Sequence, residues 1–227
     1  MSELPSGGEI LLGAQGVLGL PPNIVDGSWP SKEAYLEAHY EILRREGIEG
    51  LRYSVQCYQK DPEMEDNQNT CVYTNVGLPV MLQTRFWHML TLSQVHVQAY
   101  LMTRIGAAAH ISFKTTRARQ KIKWLLSRRL TPGTVVAIST AKDNFNSICK
   151  IAIVAQRPFV SGLDMNPPEI DIFWARPDDA VFDPSEALVM LESRSGYFEA
   201  VRHALVGLQH AASEQQVPPD YQLVESC

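Results

Sequence analysis

The sequence predicts an α+β fold in which N-terminal helices lead into a small antiparallel β-barrel that a C-terminal helix follows. Three observations predict it. Apolar residues recur at helical spacing after Ser31, many short apolar runs separated by turn residues fill the middle, and helical spacing returns near the end.

Residues 1–22 are rich in Gly, Pro and Ser and read as a flexible lead-in. Their GAQGVLGL run has the wrong glycine spacing for a phosphate loop, with no preceding strand and no lysine. A helical segment, 23–70, comes next. Pro30-Ser31 supplies a stop and a cap, and Glu33 lies where the helix dipole favours an acid. Tyr35, Ala38, Ile42 and Leu43 form the apolar stripe, and Gly47 is placed to end the helix, with Ile48–Tyr58 a second, short one. DPEMEDNQN (61–69) reads as an acidic, turn-forming loop.

Strands are expected at Cys71–Asn75, Val95–Thr103, Ala107–Phe113, Gln120–Leu125, Thr134–Ser139, Ile148–Ala155, Ile170–Trp174 and Ala187–Glu192. Turn chemistry at Thr131-Pro132-Gly133, Lys142-Asp143-Asn144, Asn166-Pro167-Pro168 and Asp183-Pro184 punctuates them. Short strands at this spacing fit a Greek-key-like barrel over 71–194. In the Ile148 run apolar residues fall on both sides, as in a strand covered on both faces. A last helix, Tyr197–Ala212, within 195–227, carries its apolar face on Tyr197, Val201, Ala204, Leu205 and Leu208.

The 227 residues carry a net charge of −5, an average that hides segregation. Asn67 to Lys142 contains no Asp or Glu but ten Lys or Arg, against 10 basic and 25 acidic residues elsewhere. Such asymmetry suggests a polyanion-facing surface on an acidic body. The four cysteines show no CxxC pair, which argues against a disulfide framework or structural zinc, and Cys149 reads as a buried thiol. No secretory signal pattern and no apolar run long enough to span a membrane is present, so an intracellular place, nucleus or cytoplasm, is expected.

Three stretches together resemble the region upstream of the motor in NFX-type zinc-finger helicases, relatives of the Upf-type superfamily 1 RNA helicases. They are LPPNIVDGSWPSKEAYLEAHYEILRREGIEGLR (20–52), ISFKTTRARQKIKWLLSRRLTPGTVVAIS with DNFNSICKIAIVAQRP (111–158), and NPPEIDIFWARPDD with DPSEALVMLESRSGYFEAVRHALVGLQ (166–209). They keep the family's order over roughly two thirds of the chain. The resemblance implies a barrel like that of Upf-type helicases, single-stranded RNA as ligand, and a place in RNA interference or RNA-directed heterochromatin assembly. It also implies silencing-complex partners such as an RNA-directed RNA polymerase. Helicase activity does not carry over. No Gly-Lys dipeptide exists to complete GxxxxGK[ST], no Asp-Glu dipeptide exists, and the cysteine-rich fingers are missing.

VGLPVMLQTRFWHMLTLSQ (76–94) departs from the family pattern. Its removal would join VYTN to VHVQAYLMTRIGAAAHISF, two consecutive strands, so the segment reads either as an unspliced intron of 19 codons or as an inserted hairpin.

The candidate surface is KTTRARQKIKWLLSRR (114–129), with seven basic residues in 16 positions: Lys114, Arg117, Arg119, Lys121, Lys123, Arg128 and Arg129. Around QKIKW, Arg119, Lys121 and Lys123 alternate with Ile122 and Trp124, which predicts a strand with a cationic outer face able to track a phosphate backbone. The competing reading is a solvated face neutralised by acids at 61–66. Phe113, Phe145, Phe159, Phe173 and Trp174 are nominal base-stacking residues that read more naturally as core, and Trp124 reads as packing. His203 and His210 are seven apart, wider than the i,i+4 pair a metal favours. Glu192, Glu199, Arg202 and His203 fit a structural salt bridge better than acid–base catalysis. No catalytic residue, cofactor or metal is expected. The sequence therefore predicts a non-catalytic accessory region contacting RNA, with a protein-docking module or a truncated helicase gene product as alternatives.

Overall fold

The computed structural model describes residues 4–12, 24, 26–77, 100–102, 107–183, 186–195 and 198–213. Their elements run α1 (Gly7–Leu11), α2 (Lys32–Lys60), β1 (Thr70–Gly77), β2 (Tyr100–Met102), β3 (Ala107–Lys114), β4 (Val135–Thr140), β5 (Lys150–Gln156), β6 (Glu169–Trp174), β7 (Leu188–Ser193) and α3 (Phe198–Ser213). The fold is α+β. From residue 78 onward the 76–94 segment lies outside the described residues, as do 95–99 of one expected strand, the GAQGVLGL run and the tail from 214.

Six strands in the order β1-β7-β4-β5-β6-β3 form an antiparallel barrel, and pairing of β1 with β3 closes it; β2 pairs with the start of β3, on the edge opposite β6. Closure needs β1 to serve two partners. It pairs with β7 from Thr70 onward, then bends at Asn75 (φ 48), and Gly77 meets Ser112 of β3. A bulge of this kind bends its strand and lets the ladder change partner.

Beneath α2 both faces of the wall are buried, as the Ile148 run predicted, while His110, Ile153 and Phe173 are half-buried. Tyr73, Phe113, Ile138, Val154, Ile172 and Met190 fill the barrel. Val72, Ala137, Ile151, Val189 and Leu191 point outward, beneath Ile48, Leu51, Val55 and Tyr58 of α2. The expected break in α2 does not occur. Ser31 Oγ accepts the Ala34 N–H at 3.1 Å, and one helix then runs 29 residues through Gly47 and Gly50. These glycines mark close approaches rather than an end. A Cβ at Gly47 would lie 3.0 Å from Val201, and one at Gly50 would lie 2.4 Å from Ser195 Oγ. The crossing of α3 and the end of β7 over α2 thus requires them.

Within the Gly-rich lead-in, where no element was expected, α1 forms and docks. Ser6 and Glu9 make a reciprocal cap, and Ile10 is fully buried under α2. Arg44 grips the Glu9 carboxylate at 2.9 and 3.0 Å, and Arg52 donates to the Glu9 carbonyl. Partial burial opposes the Glu9 charge, but Arg44 and Ser6 outweigh it and lower the carboxyl to about 2. No described helix is long and apolar enough to cross a membrane.

Candidate nucleic-acid interface

The basic segment lies in the long β3–β4 connection across one mouth of the barrel, and it is not a strand. Gln120–Lys123 pairs with no strand among the described residues, and Trp124–Leu126 forms a 3-10 turn closed by Ser127 N–H to Trp124 O at 3.2 Å. The alternation survives without the ladder. Arg119, Lys121 and Lys123 are exposed, Ile122 and Trp124 are half-buried, and the Trp124 ring meets Phe113 edge-on at 6.0 Å. Periodicity reports which side chains turn inward, and an extended loop satisfies it as well as a strand does.

Buried polar groups pin this loop. Glu192, on β7 facing the barrel interior, accepts the Leu130 N–H and the Tyr73 hydroxyl, both at 2.6 Å. Leu130 sits at φ 50, a left-handed conformation disfavoured for leucine, and the Glu192 bond helps hold it there. Burial pushes the Glu192 carboxyl up, against the pull of Tyr73, the Leu130 amide and Arg129. Asp66 accepts from Arg129 at 2.5 Å and from the Val72 N–H at 2.8 Å. Arg117 donates to the carbonyls of Pro62 and Met64 and pairs with Glu63 at 3.1 Å. Arg157 donates to the carbonyls of Arg129 and Ser127 at 2.8 and 2.9 Å.

The seven predicted cations therefore divide. Arg117 and Arg129 are half-buried and engaged by the acidic 61–66 loop; Arg119 meets Glu65 at 3.4 Å with both side chains exposed. Lys114, Lys121, Lys123 and Arg128 are exposed and make no ion pair among the described residues. Lys121 and Lys123 line a cleft of about 470 Å3 together with Leu126, Arg129, Gln68 and Arg194. Arg128 lines a neighbouring cleft of about 840 Å3 that shares Ser127, Arg129 and Arg194, while Lys114 stands apart at the end of β3.

Residues 84–194, which carry β2 to β7 and the whole basic loop, match the family model described as the ZNFX1 domain. This chain carries a ZNFX1 domain. It is 34% identical over 203 residues to "Helicase required for RNAi-mediated heterochromatin assembly 1" of Schizosaccharomyces pombe, covering 89% of this chain and 18% of that protein. It is 26% and 27% identical over 212 residues to the Mus musculus and Homo sapiens "NFX1-type zinc finger-containing protein 1", covering 91% of this chain and 10% of each. The chain thus spans less than a fifth of the length of these curated relatives. The Schizosaccharomyces pombe relative is named a helicase, and this chain matches a region within it. No solved structure matches.

Arg157 and Arg194 escaped sequence reasoning because each is a lone cation distant from the basic run. Arg194, the last residue of the ZNFX1 match, donates to the Asn67 carbonyl at 3.0 Å. The Asp66 and Glu63 partners lie outside the matched segment, in the loop after α2. Of the nominal stacking residues, Phe113 and Phe145 are fully buried, Phe173 and Trp174 are half-buried, and Phe159 is exposed. Cys149 is buried as expected, and burial pushes its thiol up to about 12. His203 and His210 are exposed on α3. Glu192 serves as a hydrogen-bonded anchor rather than half of a salt bridge.

Proposed function

We propose that this ZNFX1 domain is a non-catalytic accessory region of a helicase-like protein, and that it holds single-stranded RNA against the loop at the barrel mouth. The observation that carries the reading is the set of exposed cations Lys121, Lys123 and Arg128 on a loop fixed from below by buried and half-buried hydrogen bonds, with Lys114 at the end of β3, all without ion-pair partners among the described residues. Phosphate binding needs cations with no internal partner. A pinned loop loses less conformational freedom on binding than a mobile one.

The name of the yeast relative extends the proposal to RNA-interference-directed heterochromatin assembly, in nucleus or cytoplasm. Silencing-complex proteins such as an RNA-directed RNA polymerase are the proposed partners, and the resemblance to the Upf-type helicase barrel belongs to the same proposal. Fluorescence anisotropy with labelled single-stranded RNA at low and moderate salt tests it. Binding falls steeply with salt, and Lys121→Glu/Lys123→Glu/Arg128→Glu removes it while the melting temperature is kept. Binding that is flat with salt, or unchanged in the triple variant, contradicts the proposal.

A further inference from the structure

The 3-10 turn at the barrel mouth exposes what a folded protein normally hides. Leu125 is 73% and Leu126 83% exposed, and both project from the turn that Trp124 anchors to the core. The adjoining turn Phe159–Leu163 touches it and adds Val160, 72% exposed, and Phe159, 39% exposed. Single exposed leucines are ordinary, but four apolar side chains on two touching, pinned turns form a patch of the kind that marks an interaction site. Arg157 fastens the backbone on both sides of Arg128, which keeps the leucine turn at the surface.

We propose that Leu125, Leu126, Val160 and Phe159 form a docking surface for a segment of another protein that carries aliphatic side chains flanked by Asp and Glu. Charge complementarity identifies the partner. Lys121, Lys123 and Arg128 rim the patch without counter-ions among the described residues, and Leu126 shares its cleft with both lysines. Opposite charge around an apolar centre fixes register and repels basic competitors. Three of the four patch residues are aliphatic and lack the flat π-face on which nucleobases stack, so a peptide suits the patch better than RNA bases do. This surface extends beyond the RNA reading. The lysines and Leu126, which lines their cleft, are common to both, and Leu125 belongs to docking alone.

The test uses the full chain with two labelled probes, a short synthetic peptide of leucines flanked by aspartates and glutamates, and oligouridylate. The peptide binds wild type, and Leu125→Ser/Leu126→Ser weakens it by about tenfold or more, the size expected for central interface anchors. Lys121→Glu/Lys123→Glu weakens both probes. Leu125→Ser alone, which lies outside the lysine cleft, keeps its melting temperature and its oligouridylate affinity, and Val160→Ser weakens the peptide to a lesser degree. The proposal is overturned if the peptide binds wild type and the leucine variant alike, or if a serine-for-leucine peptide binds equally well. It is also overturned if the leucine variant loses oligouridylate while no peptide binds, which would assign the leucines to RNA bases. Loss of oligouridylate binding in wild type, with peptide binding intact, would instead remove the RNA proposal and leave docking standing.

Discussion

The wall under α2 and the mouth crossed by the β3–β4 loop treat positive charge in different ways. On the wall, Arg44 and Arg52 are buried against Glu9, its carbonyl and Glu49, and their charges are consumed by the fold. At the mouth, Arg117 and Arg129 are used in the same manner, but Lys114, Lys121, Lys123 and Arg128 are left exposed to solvent. Arginine, with its planar fork of donors, serves as the internal staple, and the exposed set is mostly lysine. A count of basic residues thus overstates the binding footprint, because three of the seven have acidic partners in the 61–66 loop.

The largest break in this contrast comes from the mouth's anchor. Glu192→Leu strands the Leu130 N–H and the Tyr73 hydroxyl, and chemical unfolding should show a loss of about 2–4 kcal/mol, from one or two unsatisfied buried groups. Next is the wall. Gly50→Ala places a Cβ 2.4 and 2.5 Å from the Ser195 and Ser193 hydroxyls, which should lower stability by about 1–3 kcal/mol in the same assay. Gly207→Ala meets nothing within 4 Å in α3 and should raise stability by about 0.4–1 kcal/mol.

A smaller effect depends on pH. On the outer face of β3, His110 lies 2.6 Å from Asp171 and 3.0 Å from Glu169. Burial disfavours its charge, yet the two carboxylates outweigh burial and raise its pKa. The charged form is therefore bound more tightly by the folded state. That stability is fully present below the ordinary histidine value of about 6.5 and fades as pH rises through the raised folded value. Melting curves across this range should decline more for wild type than for His110→Gln. Last, Lys123→Met should change stability by no more than about 0.5 kcal/mol, as expected for an exposed side chain without an ion-pair partner among the described residues, and so separate function from folding at this position.

The barrel was legible where one residue's neighbours decide its structure. Alternation in the strands and the Ser31 cap each report a local preference that packing reinforces, whereas of the stripe expected in the last helix Leu205 is buried, Val201 and Leu208 are half-buried and Ala204 is exposed. What was not legible depended on distant partners. Gly47 and Gly50 look like helix ends in the sequence, and only α3 and β7 crossing above them explain their place inside one helix. Gln120–Leu125 alternates like a strand but pairs with no strand among the described residues. The basic run was visible, but which cations remain exposed was not. That depends on Asp66 and Glu63 across a loop, on Arg157 just after β5 and on Glu192 from β7.

The central claim is that the exposed cations at the mouth neutralise RNA phosphates. Comparing the salt dependence of oligouridylate binding by wild type and by Lys121→Gln/Lys123→Gln/Arg128→Gln tests it most directly. With about 0.7 in log–log slope per contact on single strands, the variant's slope should be shallower by about 2. Parallel slopes for the two proteins would contradict the claim.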